Sequence, residues 1–168
     1  MPATIEHRAD WDAPAATVYG VLTDADYLTA RLEQLGGKDP ALLEHASDDR
    51  GARFRLRHSV TMDLLPPIVR SMIGGDLVLD RVETWTPRPV GGWHGTVVVT
   101  VRGLPGSLSG TQRLADTGNG TSASHVSGAA EMPLPVLGKR IEEIVGEHVI
   151  ALLEAEDEFT RRWLATST

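Results

Sequence analysis

Between Pro40 and Glu131 the chain repeats one pattern. Apolar and polar residues alternate along a short segment, a turn follows, and the alternation resumes. Only one long helical segment comes after it. That order constrains the fold more than any other feature. Strands joined by short turns pair antiparallel, and a single helix must cover most of the sheet's apolar face.

GARFRLRHSVTM (51–62) shows the alternation best. Phe54, Leu56, His58, Val60 and Met62 face one way, and Arg53, Arg55 and Arg57 face the other, where they read as a solvated row. Leu43 to Ala46 is a shorter strand. Asp76 to Trp85, Trp93 to Arg102, Ser107 to Leu114 and Thr121 to Glu131 complete the set, separated by the turn signals PRPVGG, GLPG and DTGNG. Pro66-Pro67 ends one strand, and PPIVRSMIG reads as a short helical or irregular excursion whose Ile73–Gly75 end would form a flap or an ordinary glycine turn. In the Asp76 strand two registers stay open. Leu77, Leu79, Arg81 and Glu83 point inward in one, and Val78, Asp80 and Val82 in the other.

At the N-terminus, Ala3 to Trp11 is a strand with Ile5, His7, Ala9 and Trp11 on its buried side. Asp12 or Ala13 caps a helix with Pro14 in its first turn, AATVYGVLTD. A second helix, ADYLTARLEQLG, is stopped at Gly36-Gly37. Tyr19 and Tyr27 lie on these helices. The closing segment, Ile141 to Leu164, is helical. Leu137, Ile141, Ile144, Val145, Leu152, Ala155, Phe159 and Trp163 share its apolar face, and Glu142, Glu143, Glu147, Glu154, Asp157 and Arg161 its wet one. His148 falls at the centre of the apolar face, where an imidazole is costly without a hydrogen-bond partner. Ile150 lies opposite the stripe and is a candidate dimer contact.

Composition narrows the function. A chain of 168 residues reads as a single domain, 1–168, able to bury a real core. No cysteine is present, so neither a disulfide framework nor a thiolate nucleophile or ligand is available. A net charge of -7 disfavours nucleic acid and anionic membrane surfaces. No apolar run approaches the ~20 residues of a membrane span, and the charged start MPATIEHRADWD lacks the features of a signal peptide. The expectation is a cytoplasmic protein, a monomer or weak homodimer. There is no G-x-S-x-G elbow, P-loop or dinucleotide fingerprint.

The opening IEHRADWDAPAATVYGVLTDADYL resembles the first strand and paired helices of the START-like superfamily (SRPBCC, the birch-pollen-allergen-like helix-grip fold). LPPIVRSMIGGDL, VETW, GLPGSLSGTQRL, MPLPVLGKRIEEIV and the terminal WL resemble a domain-of-unknown-function branch of it, so that the likeness runs from Ile5 to Leu164. The resemblance implies an α+β helix-grip fold. A curved antiparallel sheet of about six or seven strands wraps a long C-terminal helix, with two short helices after the first strand. It also implies a cavity between sheet and helix, in which relatives hold lipids, sterols, polyketides or hormones; some are aromatases or cyclases, and others assist chaperones. Fold alone does not choose among these.

The expected lining follows from the alternation: His7 and Trp11; Phe54, Leu56, His58 and Val60; Arg81; Trp93, Val97, Val99 and Val101; and Ile141, Ile144, Val145, His148, Leu152 and Phe159 from the helix. Gln112 and His125 are lesser candidates. Three inward histidines could hold zinc, but none shares a helix turn or a ligand motif with another, and neither metal nor cofactor is expected. The main reading is a binder of a hydrophobic or amphipathic small molecule, such as a lipid, isoprenoid or polyketide. The alternatives are a cyclase or aromatase using an inward histidine as general base, with Arg81 steadying an enolate, and a protein-interaction module.

Overall fold

In the computed structural model, which describes residues 3–64, 66–72 and 74–166, every alternating segment is a strand. The chain runs β1 (Ala3–Trp11), α1 (Ala15–Leu22), α2 (Ala25–Leu35), β2 (Ala41–Asp48), β3 (Gly51–Val60), α3 (Pro67–Arg70), β4 (Leu77–Pro87), β5 (Trp93–Val101), β6 (Ser107–Gly118), β7 (Thr121–Glu131) and α4 (Gly138–Thr166). The strands form one antiparallel sheet in the order β1-β7-β6-β5-β4-β3-β2. It is a meander closed only by β1 folding back beside β7, and α4 lies across its concave face. This is the α+β helix-grip arrangement.

Several boundaries differ from the sequence expectation. β2 is longer than Leu43–Ala46 because it is an edge strand, most of whose side chains stay in water, so hydrophobic alternation does not mark its ends. β6 continues past Leu114 to Gly118. Pro14, not Asp12 or Ala13, occupies the cap of α1, and the Ala15 amide donates instead to Asp116 Oδ1 at 2.8 Å. Asp24 caps α2 by accepting from the Tyr27 amide at 2.9 Å. Met62 has left the strand for a single 3-10 turn and is exposed. Leu137 precedes α4 and is exposed rather than on its apolar face. Of the flap expected at Ile73–Gly75, Ile73 lies outside the described residues. None of the described helices is long and apolar enough to cross a membrane.

The core is divided. One apolar cluster, with Trp11, Val18, Leu28, Phe54, Leu56, Trp85 and Leu114 at its heart, packs under α1 and α2. The other gathers Ile5, Val69, Leu77, Val101, Leu108 and Met132 around Ile141 at the start of α4. Along β4 the inward residues read Leu77, Leu79, Arg81, Glu83, Trp85, which places two charges between the clusters. The bare middle of β6 and β7 adds room there. Gly110 pairs directly with Gly128 at inward positions, so that part of the concave face carries no side chain.

Candidate functional site

The first of the two registers open for β4 is the one adopted. Arg81 and Glu83 are buried, while Asp80 points outward and pairs with Arg55. Two further charges meet them. Arg31 shares a face of α2 with Tyr27, Leu28 and Leu32, and Glu156 comes from α4. Arg81 donates to Glu156 through both terminal nitrogens, at 2.8 and 3.1 Å, the fork geometry that suits a carboxylate. Arg81 Nε lies 3.0 Å from Glu83 Oε2, but off the hydrogen-bond axis. Arg31 is held more loosely, 3.7 Å from Glu156 and 3.8 Å from Glu83.

Two arginines and two glutamates thus form a buried, neutral cluster. Burial pushes the Glu156 carboxyl up, but Arg31 and Arg81 outweigh it and hold the group at about 2. Burial likewise opposes charge on Arg81, yet the Glu156 and Glu83 carboxylates keep its pKa above the usual guanidinium value. Tyr27 and Thr160 extend the network. Their hydroxyls share a hydrogen bond of 2.5 Å, and Thr160 also donates to the Glu156 carbonyl.

Next to this cluster is His58. Its Nε2 is buried and has no hydrogen-bond partner among the described residues. Burial, and then the nearby Arg81 charge, lower its pKa to about 4, so the ring is neutral near pH 7.

Among the described residues, three adjoining spaces between sheet and α4 concern the site. The largest, about 460 Å³, is lined mainly by apolar side chains, among them Val60, Leu77, Val101, Ile144, Val145 and Val149. An inner apolar gap of about 90 Å³ sits over Gly110 and Gly128, and shares His58, Leu79, Leu108, Val149 and Leu152 with the larger chamber. A polar chamber of about 60 Å³ adjoins the gap at Arg81, Gln112, Val126 and Leu153, and its wall includes Arg31, Glu83, Trp85 and Glu156. Apolar room therefore leads, by shared walls, to a buried polar end.

Measured against the expected lining, His58, Val60, Arg81, Val97, Val99, Val101, Ile141, Ile144, Val145 and Leu152 border the chamber or the gap. Gln112 borders the gap as well. The others need correction. Phe54 and Trp93 belong to the core cluster under α1, and Trp93 stacks on Tyr19 at 4.3 Å. Leu56 is buried in that cluster and borders only a small crevice near Arg31. Trp11 packs there too and borders only the polar chamber, its indole donating to Ser124. Phe159 lies against Tyr27, at 5.8 Å between ring centres. His7 is engaged by Asp157 at 2.5 Å, and His125 is exposed and borders only the polar chamber.

His148 reaches the rim of the large chamber but is exposed. The reason is a rotation of α4 by about one residue. Glu142, Gly146, Glu156 and Thr160 face inward, each counted as wet or neutral in an amphipathic reading. Glu142 is buried because it accepts from the Met132 amide. Ile150 is half-buried against the second core cluster, which corrects its placement opposite the apolar stripe. The three histidines do not converge, and among the described residues no group of three or more His, Asp or Glu is arranged to hold a metal.

Sequence reasoning missed Arg31 and Glu156. The signals were present. Arg31 interrupts the apolar set Leu28–Leu32, and Glu156 stands four residues from Leu152 and from Thr160.

Residues 6–164 match the model of a family described as a protein of unknown function, DUF2505. The chain belongs to that family. It is 26% identical to the uncharacterized protein Rv0481c of Mycobacterium tuberculosis, over 99% of each chain. Among solved structures it is similar to TTHA0849 from Thermus thermophilus, with a TM-score of 0.63 at 16% identity over 99% of this chain and 100% of that one. A START superfamily protein from Mycobacterium smegmatis aligns with a TM-score of 0.57 at 14% identity, over 98% of this chain and 99% of that one. These likenesses give the fold, which is START-like.

Proposed function

We propose that this protein binds an apolar or amphipathic small molecule between the sheet and α4. The observation that carries this reading is the chamber of about 460 Å³ with its mainly apolar lining. An interior normally packs to crystal-like density, and an apolar space of this size that opens toward a buried polar end has the form of a ligand site. Transfer of a ligand's apolar surface out of water would supply affinity, at roughly 25 cal/mol per Å².

Native mass spectrometry of gently purified protein, with solvent extraction, tests it. A stoichiometric extra mass that extracts as an apolar compound is expected. Protein that stays apo when offered a panel of lipids, isoprenoids and polyketides would count against the reading.

A second reading, catalysis on such a molecule, is favoured by one observation. His58 presents, beside the chamber, a buried Nε2 with no hydrogen-bond partner among the described residues, and a neutral imidazole nitrogen of this kind can take up a proton as a general base. His58, rather than the exposed His148, is then the residue to replace. Turnover of an identified substrate that survives His58→Phe would dismiss it.

A further inference from the structure

The polar chamber holds an unusual set of buried atoms. Arg31 Nη2, Arg81 Nε, Trp85 Nε1 and Glu83 Oε2 are all shielded from solvent and lack a hydrogen-bond partner among the described residues. All four side chains line the same space of about 60 Å³. Three are donors and one is an acceptor, and Arg81 Nε stands beside Glu83 Oε2 at 3.0 Å without bonding it. Buried polar groups are nearly always paired in native proteins, so four orphans in the wall of one small chamber indicate a group meant to enter it.

The charges define that group. Arg31 and Arg81 are already balanced by Glu83 and Glu156. Arg113 and His125 also border the chamber but are exposed, and Asp157 is taken by His7. No surplus positive charge remains among the buried groups for an anion, and an entering carboxylate would stand beside the Glu83 and Glu156 oxygens in a medium of low dielectric. A carbonyl or ether oxygen could accept from Arg31 or Trp85 but would leave Glu83 unmatched. A hydroxyl both accepts and donates. Arg31 Nη2 and Glu83 Oε2 are 3.8 Å apart, too far to bond each other, while one hydroxyl oxygen can stand about 2.8 Å from both.

We infer that the ligand carries an uncharged hydroxyl head group that accepts from Arg31 and donates to Glu83 in the polar chamber, with its apolar body extending past Arg81 and Leu153 into the inner gap. This rests on the reading of the cavity as a small-molecule site.

Three ligands with one tail test it: dodecanol, dodecanoate and dodecyl methyl ether, titrated near neutral pH into the full chain and followed by tryptophan fluorescence, to which Trp85 in the chamber wall contributes. Dodecanol is expected to bind at least about tenfold more tightly than either of the others, since each unmatched buried polar group costs about a decade of affinity or more. Glu83→Gln removes the carboxylate charge and so frees one arginine charge, and the order should swing toward dodecanoate. Equal binding of the three, or a preference for dodecanoate or the ether in the unmodified protein, overturns the head-group assignment and leaves cavity binding standing. Folded protein that binds none of them overturns both. The ranking in the unmodified protein decides the matter even where Glu83→Gln fails to fold.

Discussion

Replacing Glu156 by glutamine keeps the side chain's shape and deletes one charge from the buried cluster. Arg81 then loses its two-point partner, and two guanidiniums face the single carboxylate of Glu83. The cost can be worked from the Glu156 carboxyl itself. It is held at about 2, against an ordinary 4.5, a difference equivalent to about 3 kcal/mol of folding stability. Breaking a buried ion pair by removing one partner costs about 3–5 kcal/mol in general, so the two routes agree. For a chain of this length the melting temperature should fall by about 6–12 °C.

The pH dependence sharpens the test. A carboxyl depressed in the folded state contributes its full stabilisation above the unfolded value, 4.5, and loses it as the pH falls toward about 2. The stability gap between the unmodified protein and Glu156→Gln should therefore be widest near neutrality and close as the pH falls through that window. Urea unfolding of both proteins near neutral pH and at steps down to about pH 3 measures it. A neutral-pH loss below about 1 kcal/mol, or a gap that keeps its full size in acid, would refute the claim that the arginine–glutamate cluster is charged and mutually compensated.

Other expectations follow from the same geometry. His58 stays neutral until about pH 4 while the unfolded chain takes up its proton near 6.5, so stability should fall by about 3 kcal/mol between those values; His58→Phe should flatten that slope in urea titrations. Gly95→Ala should cost about 3 kcal/mol or more, or prevent folding, because its Cβ would stand 1.6 Å from the Thr84 carbonyl oxygen; a thermal melt reads it directly. Val149 borders both the chamber and the inner gap, so Val149→Trp should fill the space and abolish uptake of an apolar fluorophore in a folded protein. His148→Ala, at an exposed rim position, should change stability by no more than about 0.5 kcal/mol.

Much of this was legible in the residues. Period-two alternation identified each strand and, in β3, the inward Phe54, Leu56, His58 and Val60, because a half-buried strand exposes its pattern directly. The meander followed from short turns, and the helix-grip arrangement from one long helix facing one large sheet. In β4 the alternation narrowed the inward charges to two sets.

The rotation of α4 was not legible. Amphipathicity locates a helix face by counting apolar residues, and here the innermost positions include Glu142, Gly146, Glu156 and Thr160. Each polar one among them is buried because a partner from elsewhere in the chain meets it: the Met132 amide, the Arg81 fork, the Tyr27 hydroxyl. Such partners are distant in sequence, and local pattern carries no record of them. The sequence by itself determined which backbone segments form strands and helices and, outside β4, which sheet face is dry, since those depend on periodicity. Only the tertiary structure decided which charges meet under α4 and where the interior is left unfilled. Desolvation and pairing are properties of a place in space, and Arg31, Arg81 and Glu156 share that place only after the chain has folded.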